Sequence, residues 1–305
     1  RGNTQIYYQP TDTIQIDETY HYRPRSDAAN LELRYEDNSN RNYISNRFTM
    51  DGEINHGRSE ELRQTLRTSR LSAGNYFNLI RNRENSTWEF RSATQYAYQP
   101  ASLLLEEGKS KFNQHSFYTD NSAAYLRKYN GFTQQYKAGI QGERATMKYI
   151  PPTQPNDFNA SNLSLYFNPY FQLQRGKGLA TLSLPLKAQR YFSQQRSFLF
   201  FNPSTYLRYK LDYHWTFSLY GSLKRSAGDF SDLYPGLYQT DYRTWRSGNG
   251  LFPTSTTQTY NLYGEYKNTV QEFFVTASLT YSRSNRNTLF EQSVSENAIV
   301  YTQRE

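Results

Sequence analysis

The sequence predicts an all-β protein, a transmembrane antiparallel β-barrel, and three observations support that prediction. Only 36% of the 305 residues are hydrophobic, yet 17% are aromatic. Long segments alternate between apolar and polar residues with the period of two that a two-faced strand requires. The connections between these segments are alternately short and long, as in bacterial outer-membrane barrels. A barrel reconciles the three, because it combines an apolar lipid face, a wet lumen and aromatic girdles.

The composition excludes several other classes of protein. The mean hydropathy of −0.91 is very low for an ordinary soluble domain, and the 29 tyrosines and 19 phenylalanines are too many for a disordered chain. With no cysteine, neither a disulfide framework nor a thiolate metal site can form. No apolar run approaches the roughly 18 residues of a spanning helix. Residues 1–4 lack the apolar core of a signal peptide, so we expect a mature form or a fragment.

The net charge of +8 raises the question of a nucleic-acid partner. The basic residues are scattered singly, and examples such as Arg34, Lys137, Lys187 and Arg208 occupy polar positions within alternating segments. We interpret them as solvated lumen or loop charges, and we predict no nucleic-acid partner.

The alternation is clearest between residues 162 and 284. In the segment 162–174, Leu163, Leu165 and Phe167 share one parity, while Asn162 and Ser164 share the other. The same pattern recurs in segments of about 10–14 residues, longer than the usual globular strand and suited to a tilted membrane strand. We predict about 12–14 strands, all within one barrel segment that spans residues 1–305.

The N-terminal half repeats the pattern with less apolar content. One apolar face is predicted for Ile14, Ile16, Tyr20 and Tyr22, and residues 115–149 read as two strands joined at residues 129–131. We attribute a break in the alternation around Ala145 to a bulge. Residues 293–303 are predicted to form one more strand. The other apolar faces comprise Leu31, Leu33 and Tyr35; Ile44, Phe48, Met50 and Ile54; Leu71, Ala73, Phe77 and Leu79; and Trp88, Phe90, Tyr96 and Tyr98.

The connections divide into two sets that alternate along the chain. Because bacterial barrels have short periplasmic turns and longer external loops, we assign the long set to the outer side. Short connections are predicted near residues 38–42, 82–86, 129–132, 175–178, 211–214 and 267–271. Longer ones are predicted near residues 24–29, 56–69, 99–115, 150–160, 192–197 and 225–257.

Catalysis has little support in the sequence. The four histidines, His21, His56, His115 and His214, are far apart and lack metal-ligand spacing. There is no phosphate-binding glycine loop and no nucleophile elbow. We predict that the chain is not an enzyme and needs no metal or cofactor.

The segment 225–257 is the most informative connection, since a loop of this length usually has a function. Aromatic rings and arginines suit stacking on sugars or peptides and the binding of carboxylates. The alternative is that the aromatic rings pack the loop against itself or mark the outer membrane interface. The candidate ligand-binding residues are Tyr234, Tyr238, Tyr242, Arg243, Trp245 and Arg246.

The run from residue 198 to residue 284 resembles the late barrel strands of TonB-dependent outer-membrane receptors, and its tyrosine-rich style resembles those of Bacteroidetes-type bacteria. The residues that carry the resemblance are 202–209, 217–225, 232–235, 248–253 and 260–266. The resemblance implies a 22-stranded barrel filled by a plug domain, of which this chain would be one part. Neither a plug domain nor an energy-coupling segment is recognised in the sequence.

The resemblance further implies the barrel portion of a transporter that imports a nutrient (a glycan, a peptide or a metal chelate) across the bacterial outer membrane. Energy would come from the inner-membrane TonB complex through an N-terminal part outside this chain. Two alternatives stay open: a non-transporting scaffold or adhesin that holds a surface lipoprotein or another partner, and a passive porin. The predicted lumen-lining residues are Arg208, Lys210, Lys224, Glu265 and Lys267.

Overall fold

The computed structural model describes the backbone of residues 2–8, 13–19, 22–59, 64–105, 108–150, 156–228, 230–234, 236–239, 244–248, 252–294 and 299–304. Strands make up nearly all of these residues, short turns connect many of them, and the helical part is one 3₁₀ turn. Within the described ranges, no helix has the length and apolar character needed to cross a membrane. The all-β prediction is confirmed.

The chain begins with a separate hairpin of β1 (Gly2–Tyr8) and β2 (Thr13–Thr19), which pair with each other in a two-stranded sheet. Of the predicted face formed by Ile14, Ile16, Tyr20 and Tyr22, the first two residues fall in β2, Tyr20 lies outside the described residues and Tyr22 begins the next strand. The side chains of all four lie outside the described residues.

The first half of the main sheet is an antiparallel meander of seven long strands. The strands are 17 to 22 residues long, and each pairs with the next along the chain. The strands are β3 (Tyr22–Asn38), β4 (Asn42–Ser59), β5 (Gln64–Arg83), β6 (Ser86–Leu105), β7 (Gly108–Tyr129), β8 (Phe132–Ile150) and β9 (Asn156–Arg175).

These strands are longer than predicted. The predicted loop at residues 24–29 is wrong, because these residues lie inside β3. Strands β4 to β7 also take up residues 56–59, 64–69, 99–105 and 108–115 of the loops predicted at 56–69 and 99–115. The predicted turn at residues 129–131 is confirmed. Asn130 and Gly131 have φ values of 44° and 77°, as the tight turn between two twisted strands requires.

The second half of the meander contains two interrupted strands. β10 (Gly178–Ser183) and β11 (Leu186–Tyr191) both pair with β9, and β12 (Arg196–Phe201) and β13 (Ser204–Lys210) follow them. The gaps contain Pro185 and Pro203, which have no backbone N–H to donate to the ladder. When β10 with β11, and β12 with β13, are each counted as one interrupted strand, the main sheet contains twelve strands. This number is at the lower end of the predicted range of 12–14 strands.

The remaining elements end the meander and add a small sheet beside it. β14 (Trp215–Ala227) is followed by a 3₁₀ turn (Phe230–Leu233), β15 (Leu237–Gln239) and β16 (Thr244–Ser247), and then by β17 (Thr254–Asn268) and β18 (Phe273–Arg286). β19 (Leu289–Val294) and β20 (Ile299–Arg304) join β15 and β16 in a separate four-stranded sheet, in which β16 and β20 are parallel. The predicted barrel strand at 293–303 is therefore wrong.

The two faces of the main sheet have the reverse of soluble-protein polarity. On β9, the apolar residues Leu163 and Leu165 are 41% and 54% exposed, whereas Asn162 and Ser164 are only 5% and 0% exposed. We call the face with the exposed apolar residues the outer face and the opposite one the inner face. An apolar outer face and a polar inner face are what a lipid-embedded barrel wall requires.

The sheet has two distinct ends. The turn end carries the short connections at residues 39–41, 84–85, 130–131, 176–177, 211–214 and 269–272, and the loop end carries the others. On the outer face near the turn end, aromatic rings pack in pairs, such as Trp88 with Tyr125 (4.7 Å between centroids) and Trp215 with Tyr266 (4.9 Å). Such a girdle is typical of a membrane border. Among the described residues, β3 and β18 are the two edges of the sheet and do not pair with each other.

Candidate functional site: the inner face and its covering loop

An apolar platform interrupts the polar inner face near the loop end. It consists of Ala145, Met147 and Tyr149 on β8, Ala160 on β9 and Tyr191 on β11, each at most 3% exposed. We call these five residues the inner shelf. Ala145 lies in unbroken register with Ser116 on one side and Ala160 on the other, so the bulge predicted there is wrong. The alternation breaks because the inner face itself becomes apolar at this level.

The described residues of the segment 228–253, which we call the covering loop, pack on the inner shelf. Phe230 and Phe252 both contact Tyr191, with ring centroids 6.0 and 4.4 Å away, and Leu233 is fully buried in the same cluster. Tyr234 meets Phe158 edge-on at 5.8 Å. Burial of this apolar surface away from water stabilises the loop in its position against the wall.

Backbone hydrogen bonds close the covering loop at its base. The N–H of Gly228 donates to the carbonyl of Pro253 at 2.6 Å, and the N–H of Gly248 donates to the carbonyl of Tyr234 at 3.0 Å. Beyond β18, the Asn287 amide donates to the carbonyl of Phe252 at 3.0 Å. The loop is therefore ordered by its own strands and by the segment that follows β18.

The candidate ligand-binding residues of the loop separate into three groups. Tyr234 is 1% exposed within the packed cluster, and Trp245 packs against that cluster from β16. Arg246 lies over the ring of Phe290 on β19, 4.7 Å from its centroid. Only the backbone of Tyr238 is described, in β15, and Tyr242 and Arg243 lie outside the described residues.

A polar pocket of about 290 Å³ lies on the inner face beside the start of the covering loop. The Asn162 amide donates to Glu143 at 3.2 Å, and the Lys187 ammonium donates to Gln141 at 3.0 Å. Lys224, one of the predicted lumen residues, also lines this pocket. The pocket thus offers a carboxylate, two ammonium groups and several amides to a polar solute.

The other four predicted lumen residues come together at the turn end. Arg208, Lys210, Glu265 and Lys267 line an inner-face pocket of about 720 Å³. The structure therefore places all five residues on the inner face but divides them between two pockets at opposite ends of the wall. Their role as the lining of a transport path stays a prediction.

Asp212 fixes the turn beside the second pocket. Its carboxylate accepts hydrogen bonds from the backbone N–H groups of Trp215 at 2.7 Å and His214 at 2.8 Å. These donors favour the charged form and hold the pKa of Asp212 below its ordinary value. The turn is the connection at 211–214 that the sequence predicts.

Sequence reasoning missed the grouping of Glu143, Asn162 and Lys187. The sequence shows each as one polar residue in a strand, and only the register between β8, β9 and β11 brings them together. In the described part of the chain, no group of three or more His, Cys, Asp or Glu residues could hold a metal ion. The arrangement suits reversible binding of polar solutes.

Several solved structures of transporters and receptors share this fold. The copper transporter OprC covers 92% of the chain with a TM-score of 0.65 at 10% identity. The outer membrane transporter YddB from Escherichia coli covers 95% with a TM-score of 0.61 at 8% identity. The ferric yersiniabactin uptake receptor FyuA from Yersinia pestis covers 86% with a TM-score of 0.57 at 11% identity.

The chain spans about half the length of these proteins, namely 48%, 44% and 45%. No family model and no curated protein matches the sequence. At such low identity the likeness establishes the fold: the chain folds as a section of a TonB-dependent receptor barrel. The predicted fold is thereby confirmed, while the Bacteroidetes-type origin stays a prediction.

Proposed function

We propose that this chain is the barrel section of a bacterial outer-membrane transporter that imports a nutrient. The observation that carries the proposal is that an apolar outer face is combined with a polar inner face that bears two polar pockets. Contact with lipid requires the apolar outer face, and a route for polar solutes requires the polar inner face. The solved structures with this fold are described as transporters and uptake receptors.

In this proposal, the covering loop and the polar pocket beside it select the solute. Glu143, Lys187 and Lys224 offer both signs of charge, and the nearby amides offer donors and acceptors. Such groups suit a glycan, a peptide or a metal chelate, so the pocket favours polar solutes as a class and does not define one compound. Energy would reach the site from the TonB complex through another part of the complete protein.

Uptake measurements in bacteria with and without the complete gene test the proposal. Labelled metal chelates, oligosaccharides and peptides would be offered to both strains, with and without an uncoupler of the proton gradient. We expect gene-dependent accumulation of one class that the uncoupler abolishes. Gene-dependent entry that survives the uncoupler, together with a conductance open at rest, would establish a porin.

A scaffold or adhesin is the remaining alternative. It predicts no gene-dependent uptake of any class, together with capture of a surface protein by the intact barrel. The compared structures give no support to the surface lipoprotein partner.

A further inference from the structure

Polar residues interrupt the lipid-facing zone of the outer face on one side of the wall. On β6 the outward residues between the aromatic border positions Trp88 and Tyr98 include Ser92 and Thr94. We call this zone, and the same zone of the other strands, the apolar belt. Ten residue steps of about 3.4 Å, tilted by about 40°, make it roughly 26 Å high, close to the apolar height of about 25 Å in outer-membrane barrels. Ser92 and Thr94 lie near the middle of this height.

Register brings further polar residues to the same level. Ser92 faces Asn121 on β7, and Thr94 faces Asn75 on β5 and Thr119 on β7. We call Asn75, Ser92, Thr94, Thr119 and Asn121 the polar stripe. All five lie on the outer face between apolar outward residues of the same strand, namely Ala73 and Phe77 on β5, Phe90 and Tyr96 on β6, and Phe117 and Ala123 on β7.

The same level of the wall is apolar in the second half of the described meander. Along the register from Asn121, the facing residues on β8, β9, β11 and β12 are Ile140, Leu165, Ala188 and Leu199. On β13, β14, β17 and β18, one row consists of Leu207, Leu219, Leu262 and Leu279. Contact with lipid explains these rows, but it does not explain the polar stripe on β5 to β7.

The side chains of the polar stripe form a hydrogen-bonded chain that still has donors to offer. The Ser92 hydroxyl donates to the side-chain oxygen of Asn121 at 2.7 Å, and the Asn121 amide donates to the hydroxyl of Thr119 at 3.1 Å. The hydroxyls of Thr119 and Thr94 share a hydrogen bond at 3.4 Å. Within the described residues, these bonds use one of the two N–H donors of the Asn121 amide. Asn75 presents a second amide, exposed beside Thr94.

Lipid cannot satisfy these amides. Acyl chains have no hydrogen-bonding group at the middle of the belt, and an amide N–H without a partner is strongly unfavourable in hydrocarbon. Polar side chains in this position are instead used for contacts between membrane-embedded protein surfaces. The polar stripe therefore indicates that protein covers this part of the wall.

Small residues beside the stripe leave room for such a surface. On β8, Gly142 faces Thr119, and Ala138 faces Ala123 on β7. Both alanines are exposed. Small residues let two surfaces in a membrane approach closely enough for hydrogen bonds to form between them.

We propose that the polar stripe is the contact between two copies of this protein that lie side by side in the outer membrane. A carboxamide carries both donors and an acceptor, so amides of identical copies related by a two-fold axis can pair reciprocally. Asn75 and Asn121 supply this self-complementary chemistry, and the stripe contains no charge that would repel its own copy. Such a contact closes with two copies.

Cross-linking in outer membranes tests the proposal on the complete protein, in which any cysteine outside residues 1–305 is replaced by serine. These 305 residues contain no cysteine, so Ala123→Cys places a single thiol beside the stripe. Ala188→Cys is the matched control, because Ala188 is an equally exposed outward alanine between Leu165 and Leu199. A bifunctional thiol reagent links neighbouring chains, and two epitope tags distinguish a second copy from a different protein. Heat-modifiable gel mobility verifies that each barrel is folded.

We expect Ala123→Cys to give a linked pair of identical chains and Ala188→Cys to give none above background. In vesicles of rising lipid content, adding Asn75→Leu and Asn121→Leu should lower the lipid-to-protein ratio at which half of the protein is linked. The decrease should be at least about tenfold, since each hydrogen bond between membrane-embedded side chains contributes about a threefold factor. Equal linking at both alanines, linking of Ala123→Cys to a different protein alone, or linking that does not change when both amides are removed would overturn the proposal.

Discussion

The rings of Tyr191 and Phe252 pack against each other at a tilt of 59° with their centroids 4.4 Å apart, and this contact joins the covering loop to the barrel wall. Tyr191 is the last residue of β11 and belongs to the wall, whereas Phe252 comes just before β17 and belongs to the loop. Phe230 and Phe198 complete the aromatic group around them. The loop is therefore held by wall residues distant from it in sequence.

The substitution Phe252→Ala should release the covering loop without unfolding the barrel. Truncating a buried phenylalanine costs about 3–5 kcal/mol, and this cost falls on the docked state of the loop, because the strand ladders are untouched. Hydrogen exchange of residues 230–248 should become faster, while exchange in β9 should not change. Phe192→Ala is the matched control, because Phe192 adjoins Tyr191 but is exposed. Protection that stays at the wild-type level in Phe252→Ala would show that the shelf does not hold the loop.

A second prediction concerns Gly139, where the inner face has no room for a side chain. A Cβ at this position would lie 2.5 Å from the ring of Tyr166 and 2.7 Å from the carbonyl oxygen of Asn121. The ring cannot shift freely, because the Tyr166 hydroxyl donates to Asp120 at 2.7 Å. Gly139→Ala should therefore destabilise the barrel by about 1–3 kcal/mol, as overpacking does.

Urea unfolding in detergent, followed by gel mobility, measures this effect. Gly52→Ala is the control, since the nearest atom to its added Cβ is a backbone oxygen 4.0 Å away. Both variants gain one methyl group, but only at Gly139 does the added Cβ lie closer than 3 Å to other atoms. Equal midpoints for both would contradict the close contact at Gly139.

We expect the stability of the turn at the end of β13 to depend on pH through Asp212. Its folded pKa is lowered, so its contribution to stability is complete above the ordinary carboxyl value of 3.8 and is lost as the pH falls through the lowered pKa. Proteolysis by pepsin at residues 211–214 should therefore accelerate at the acidic end of the range. Asp212→Asn keeps an acceptor oxygen but no charge, and its cleavage rate should follow only the pH profile of the protease. A wild-type profile that coincides with that of Asp212→Asn would refute the role of the charge.

The faces of the strands could be predicted from the sequence because lipid and water demand different side chains. Leu163, Leu165 and Phe167 lie outward as predicted, as do Trp88 and Phe90. The full lengths of the strands could not be predicted in this way. Beyond the apolar belt, water lies on both sides of the sheet, so residues such as 24–29 keep their hydrogen-bond ladder without any alternation of polarity.

The inner pockets could not be predicted from the sequence, because their residues come together only through contacts between strands that are distant along the chain. Lys187 meets Gln141 across 46 residues of chain, and Tyr166 meets Asp120 across the same separation. The inner shelf did leave a signal, the apolar run of Ala145, Met147 and Tyr149 on the polar parity. A bulge and a platform give the same local pattern, and only the position of the covering loop distinguishes them.

The last prediction concerns Asn202, which bridges the gap that Pro203 leaves in the ladder. Its side-chain oxygen accepts from the N–H of Arg225 at 2.7 Å, and its side-chain amide donates to the carbonyl of Arg225 at 3.2 Å. Asn202→Ala should remove both bonds and destabilise the barrel by about 1–3 kcal/mol. Asn202→Asp keeps the acceptor alone and should show a smaller loss. Urea midpoints and exchange of the Arg225 amide measure both effects; if the Arg225 amide stays protected in Asn202→Ala, the ladder at this gap is closed by other groups.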